Sequence, residues 1–171
     1  MLFRLPTLSL LGLTAVASAT NTPKDFYLVT SSSSKPCPNS SKLPNASAIS
    51  TFDPYYQEDY LLRTIGPGYN SLPIFNLKRG NLVTIASLPH GGPEATFTTK
   101  RPTDDTELKF NPSPNTSRGP LTIRNGLVGY HGIINRWFTC PGDFGEFVIT
   151  YEGAKEGCTQ VYLHAVSHPP Y

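Results

Sequence analysis

The sequence predicts an all-β protein, a compact antiparallel barrel of trefoil-like character, with a β-sandwich as the alternative. Three observations carry that expectation. Seventeen prolines and fourteen glycines punctuate a chain of 171 residues, so its regular elements are short and joined by turns. Nine phenylalanines and nine tyrosines supply the side chains that fit a pleated, half-buried surface. The last third, Trp137 to Val166, then alternates with period two: Phe147, Ile149 and Tyr151 share one face and Val148 and Thr150 the other, while Val161, Leu163 and Ala165 oppose Tyr162, His164 and Val166. No helical period competes.

The first residues read as an address. Arg4 is the positive end, Leu8 to Val16 an apolar run, and Ala17-Ser18-Ala19 a small-x-small cleavage site, so residues 1–19 are expected to be a secretory signal cut before Thr20. The run is short of the roughly 20 apolar residues that a membrane helix needs. No later stretch could span a bilayer, and the ending SHPPY is no lipid-anchor signal. Residues 20–171 are then one secreted domain, long enough to bury a real core. Fourteen basic residues against twelve acidic ones give +2, and losing Arg4 leaves +1. Lysines and arginines are scattered along the chain, with no basic stripe to suggest nucleic acid.

In chain order, Phe26 to Val29 is a short buried strand. The polar segment 31–47, with three prolines and little to bury, reads as a long mobile loop. It holds sequons at Asn39 and Asn45, and Asn115 starts a third; in a secreted chain each is a glycan acceptor. The block from Phe52 to Pro73 is dense in aromatics. Tyr60 to Ile65 can be a strand, and Gly66-Pro67-Gly68 a turn. Tyr55, Tyr56, Tyr60 and Tyr69, near Asp53, Glu58 and Asp59, could form a sugar platform, the rings packing on a pyranose and the carboxylates accepting its hydroxyls. The structural alternative buries these rings under the 31–47 loop.

Two later segments share one design. Phe75 to Val83 and Leu121 to Val128 each read as an alternating strand, a glycine turn and a second strand opening on leucine. Asn125-Gly126 is the favoured pair for a type I′ hairpin, since both central residues need positive φ. Two copies 46 residues apart suggest a pseudo-repeat, although no third copy is evident. Ala95 to Thr99 and Glu107 to Phe110 add short strands.

Three cysteines in a secreted chain leave one over. Cys140 and Cys158 flank the Phe147–Tyr151 run, and a bond between them would close a loop of about 17 residues, worth roughly 3 kcal/mol. A plain three-strand meander would put them at opposite ends of the sheet, so such a bond requires strands that bend or are not simple neighbours. The competing pairings use Cys37.

The run FYLVTSSSS, the block FDPYYQEDYLLRTIGPGYNSLP, the W-x-x-C at Trp137 to Cys140 and the ending C-x-x-VYLHAV…PPY resemble a family of small secreted proteins of filamentous fungi, similar more distantly to the PhiA-like cell wall proteins of moulds. The resemblance spans nearly all of 20–171. It implies an extracellular or wall-associated β protein with a disulfide at Cys140 and Cys158, and it transfers no catalytic residue. Cys37 lies outside its pattern.

For function, His90, His131, His164 and His168 lack the rigid spacing of a metal site. Asp104, Asp105 and Glu107 look like a solvated surface. No nucleophile elbow, zinc motif or phosphate loop occurs. The expectation is therefore a non-enzymatic secreted fungal protein needing no cofactor, structural or interacting with a surface, whose partner is cell-wall polysaccharide or a host surface component, with no nucleic acid and no membrane span. A carbohydrate-binding, lectin-like module is the alternative, and a hydrolase with an unrecognised site comes third, since any two of twelve acids could pair. Trp137 is expected in the core and not on a sugar platform, because no second tryptophan or run of aromatics extends it.

Overall fold

The computed structural model describes residues 23–54, 59–69, 72–112 and 117–171. The expected leader 1–19, its cleavage site, Tyr55, Tyr56, Glu58 and the Asn115 sequon lie outside these. Among the described residues there is no α-helix, and so no helix long and apolar enough to cross a membrane. Thirteen strands form instead: β1 (Tyr27–Ser31), β2 (Ser47–Phe52), β3 (Tyr60–Ile65), β4 (Phe75–Lys78), β5 (Asn81–Ser87), β6 (Glu94–Thr99), β7 (Thr106–Glu107), β8 (Lys109–Asn111), β9 (Leu121–Arg124), β10 (Leu127–Tyr130), β11 (Trp137–Pro141), β12 (Phe147–Tyr151) and β13 (Thr159–Val166).

Six of them close into an antiparallel barrel in the order β1-β2-β3-β12-β11-β13. Closure comes where Val148 of β12 pairs with Arg63 of β3, and where β13 returns to β1 with Val29 opposite His164. Closing the sheet removes its exposed edges. The inward set follows from alternation. Leu28, Ile49, Leu62, Trp137, Ile149, Leu163 and Ala165 join one cluster, to which Phe75, Leu82, Phe97, Phe110, Leu121 and Val128 from the remaining strands also belong. The strands outside the ring thus form a lobe whose apolar side chains complete the barrel's core.

Both expected hairpins form. Asn125-Gly126 and Arg79-Gly80 hold φ values of 51° and 75°, and 51° and 76°, at the tips of β9–β10 and β4–β5. The tips meet the chain elsewhere: Gly119 N–H donates to the Arg79 carbonyl at 2.9 Å and Leu121 N–H to that of Gly80 at 2.9 Å. A Cβ on Gly119 would overlap the Asn81 side chain and the Gly80 carbonyl, so only glycine permits this approach. The repeat does not extend to the barrel. Its strands come as the first three and the last three, whereas a threefold repeat would draw two from each third of the chain.

The 31–47 segment differs from its expectation. Ser31 and Ser47 are strand residues, and between them Asn39 caps a 3-10 turn over Ser40–Lys42. Ser31, Ser40 and Leu43 are buried. Ser31 Oγ donates to the Pro44 carbonyl at 2.8 Å and Ser40 Oγ to that of His168 at 2.5 Å, while Leu43 packs with Val29 and Val166 on the barrel's outer face. The segment satisfies its polar groups partly through a distant stretch of the chain, which its composition concealed.

Cys140 and Cys158 are bonded, with Cα atoms 4.1 Å apart. The meander objection fails because β11, and not β12, lies in the middle. It pairs with β12 on one side and with β13 on the other, Thr139 opposite Thr159, which brings the two cysteines side by side. Cys37 is a free thiol, donating to the Asn39 carbonyl. Trp137 is fully buried, its Nε1–H donating to the Val128 carbonyl at 2.9 Å and its ring edge-on to Tyr151. It alternates onto the face opposite Cys140, so it fills the barrel and does not lean on the bridge.

Candidate functional site

Beside the pairing of Val148 with Arg63 that joins β12 to β3, residues Phe52, Asp53 and Pro54, the β5–β6 loop and the β11–β12 loop surround an open cleft of about 810 Å³. Phe52, Tyr60, His90 and Phe144 line it together with Asp53, Arg63 and Glu146. A smaller cavity of about 200 Å³ adjoins it, sharing Pro54, Phe144 and Glu146 and adding Asp59, Glu107 and Asp143. Five of the twelve acidic residues in the sequence therefore stand around these two cavities.

Each group is placed by local structure. Gly142 N–H donates to the Glu146 carbonyl at 2.8 Å, pinching the loop between β11 and β12 so that Phe144 projects at its tip, 60 % exposed. Arg63 leaves β3 with its guanidinium 5.0 Å from the Phe52 ring centre and 5.6 Å from that of Tyr69, and donates to the Tyr69 hydroxyl at 3.1 Å. Tyr60 stacks on Phe97 with ring centres 4.5 Å apart and donates its hydroxyl to the Ser87 carbonyl at 2.6 Å. Burial first, and the charge of Asp53 second, push its pKa above the ordinary tyrosine value, so the phenol stays a donor. Lys100 reaches the Asp59 carboxylate at 2.6 Å.

Of the four tyrosines expected to contact sugar, Tyr60 lines the cleft, with one face committed to the core. Tyr69 is exposed and reaches the cleft through Arg63. Tyr55 and Tyr56 are not described. Phe144, the most exposed aromatic among the described residues, was not among the expected residues; its signal was an isolated phenylalanine between Asp143 and Gly145 in a turn. Neither Tyr60 nor Tyr69 lies under the 31–47 segment, which covers β1 and β13 instead. Asn39 and Asn45 are exposed on that segment, and the Asn39 side-chain oxygen accepts from Ser41 N–H and Oγ.

The histidines are dispersed. His90 lines the cleft, His131 lies on the lobe, His168 is in the tail, and His164 is buried on β13. Among the described residues no three side chains of metal-ligating type gather. Arginines do gather, against the expectation from their scatter: Arg79, Arg101, Arg118 and Arg124 surround two adjoining grooves on the lobe. No protein-family model, curated protein or solved structure matches the chain.

Proposed function

We propose that this is a secreted, non-catalytic protein of the extracellular space or cell wall that holds polysaccharide, of the wall or of a host surface, in the cleft beneath Phe144. The observation that carries the reading is the exposed Phe144 ring at the rim of a cleft whose walls alternate aromatic faces with carboxylates. A pyranose presents a C–H face to a ring and hydroxyls to carboxylates, and an open cleft admits a chain. The leader-like residues 1–19 and the disulfide agree with an oxidising compartment. The exposed Asn39 and Asn45 are the glycan acceptors on this reading.

Retention of the protein on insoluble chitin, β-1,3-glucan and cellulose tests it. Binding to at least one is expected, and Phe144→Ala should lower it about tenfold, the rough equivalent of one aromatic stacking contact. Unchanged retention in that variant removes the cleft from the reading. Release of reducing ends during incubation, lost in Glu146→Gln, replaces the binder with a glycoside hydrolase.

A further inference from the structure

The arginine-lined lobe is a second surface, which shares no lining residue with the cleft. Four of the seven arginines in the sequence stand around two adjoining grooves of about 720 and 670 Å³. The fold assembles them from four places. Arg124 ends β9 and, by alternation, points outward with Thr122 while Leu121 and Ile123 are buried. Arg79 sits in the β4–β5 turn, and the bond from Gly119 N–H to the Arg79 carbonyl holds that turn beside Arg118. On the other flank Arg101 is oriented by its Nε–H bond to the Tyr130 hydroxyl at 3.2 Å, next to His131. Arg118 and Arg124 line both grooves, which makes them the shared wall of one continuous surface. Among the described residues no carboxylate lines either groove, although the chain is close to neutral overall.

We propose that this surface binds an acidic polysaccharide, one carrying carboxylate or sulfate groups along its chain. Guanidinium forks match both oxyanions bidentately, and arginine in place of lysine is the choice where that geometry matters. Forks spread over two grooves fit a series of oxyanions and exceed what a single small ion needs. Single-stranded nucleic acid fits less well, because among the described residues no phenylalanine, tyrosine or tryptophan lines either groove to stack a base. A membrane surface fits less well too, since none of the exposed large apolar side chains lines them.

The full chain is titrated with polygalacturonate, dextran sulfate, neutral dextran, single-stranded DNA and phosphatidylserine vesicles. Binding to polygalacturonate or dextran sulfate and not to dextran is expected, weakening as sodium chloride rises. The two polymers separate carboxylate from sulfate as the preferred group. Arg118→Gln with Arg124→Gln should lower the affinity at least tenfold. Arg118→Lys with Arg124→Lys should fall between, because charge survives and the fork does not. Phe144→Ala should bind as the unaltered protein does. Melting temperatures confirm that the variants fold; should the glutamine pair unfold, the graded loss in the lysine pair decides. Affinity unchanged in the glutamine pair, or in the lysine pair where it alone folds, overturns the proposal, as does tighter binding to DNA or to vesicles than to either acidic polymer.

Discussion

The cleft under Phe144 and the groove beside Arg124 are of similar size, about 810 and 720 Å³, yet are built in opposite ways. Loops supply most of the cleft's walls, and its chemistry is aromatic and acidic. The groove is built on a strand face and a tight turn, and its chemistry is basic. Loops tolerate change and reposition side chains readily, whereas a strand and a φ-restricted hairpin fix theirs. On the proposed reading the cleft conforms around a neutral sugar, and the groove presents charge at fixed spacing. A near-neutral sum conceals the division, because acidic residues gather on one surface and arginines on another and cancel only in the total.

If the two surfaces are separate, a change to the shared core should weaken both and a local change only one. The largest effect is expected at Trp137. Its ring is fully buried and its N–H is bonded to Val128, so Trp137→Ala should cost about 3–5 kcal/mol from the cavity and the orphaned carbonyl. Chemical denaturation measures this, and binding at both surfaces should fall with the folded fraction. A variant that melts normally and loses only glycan retention would return Trp137 to the sugar site.

Next is the disulfide. Replacing Cys140 and Cys158 with alanine should cost roughly 2–5 kcal/mol. Because Cys140 stands next to Pro141, where the β11–β12 loop begins, Phe144 should be loosened more than Arg124, so polysaccharide retention at 25 °C should fall before acidic-polymer binding does. Equal losses would mean that the loop draws its rigidity from elsewhere.

Gly119→Ala reverses the asymmetry. The added methyl collides with Asn81 and the Gly80 carbonyl, which pushes the β4–β5 turn, and Arg79 with it, away from Arg118. A cost of about 1–3 kcal/mol is expected, typical of overpacking. The groove should lose affinity while the cleft keeps it. Equal affinity for polygalacturonate or dextran sulfate in this variant would show that Arg79 is no part of the site.

How much of this was legible in the sequence divides along the same line. Period-two alternation located β12 and β13, and Asn125-Gly126 located a hairpin, because these signals are local. The run of tyrosines pointed towards the cleft, although Phe144 does the projecting. The groove left no trace, since its arginines at positions 79, 101, 118 and 124 meet only through tertiary pairing. The same holds for β11 lying between β12 and β13: strand order is a long-range property, and without it the disulfide looked geometrically strained. The 31–47 segment misled for a related reason, its serines finding carbonyl partners up to 128 residues away.

Both surfaces rest on the fold that carries them, which responds to pH through His164. This residue is 1 % exposed on β13; its Nε2 lies 2.9 Å from the Ser33 carbonyl and its Nδ1 is buried with no partner. Burial lowers its pKa below the ordinary value and outweighs the opposing effect of the Ser33 bond, so the folded protein holds it neutral with the proton on Nε2. In the unfolded chain it titrates near 6.5. Below that pH the unfolded state binds a proton that the folded state refuses, so stability falls as pH drops, by at most about 1.4 kcal/mol per unit, and levels off below the folded pKa. The loss should be absent above pH 7.5. His164→Gln keeps a donor for Ser33 and removes the titration, so its stability should decline less between pH 7 and pH 5.5 than that of the unaltered protein. Parallel declines would assign the acid sensitivity to other groups.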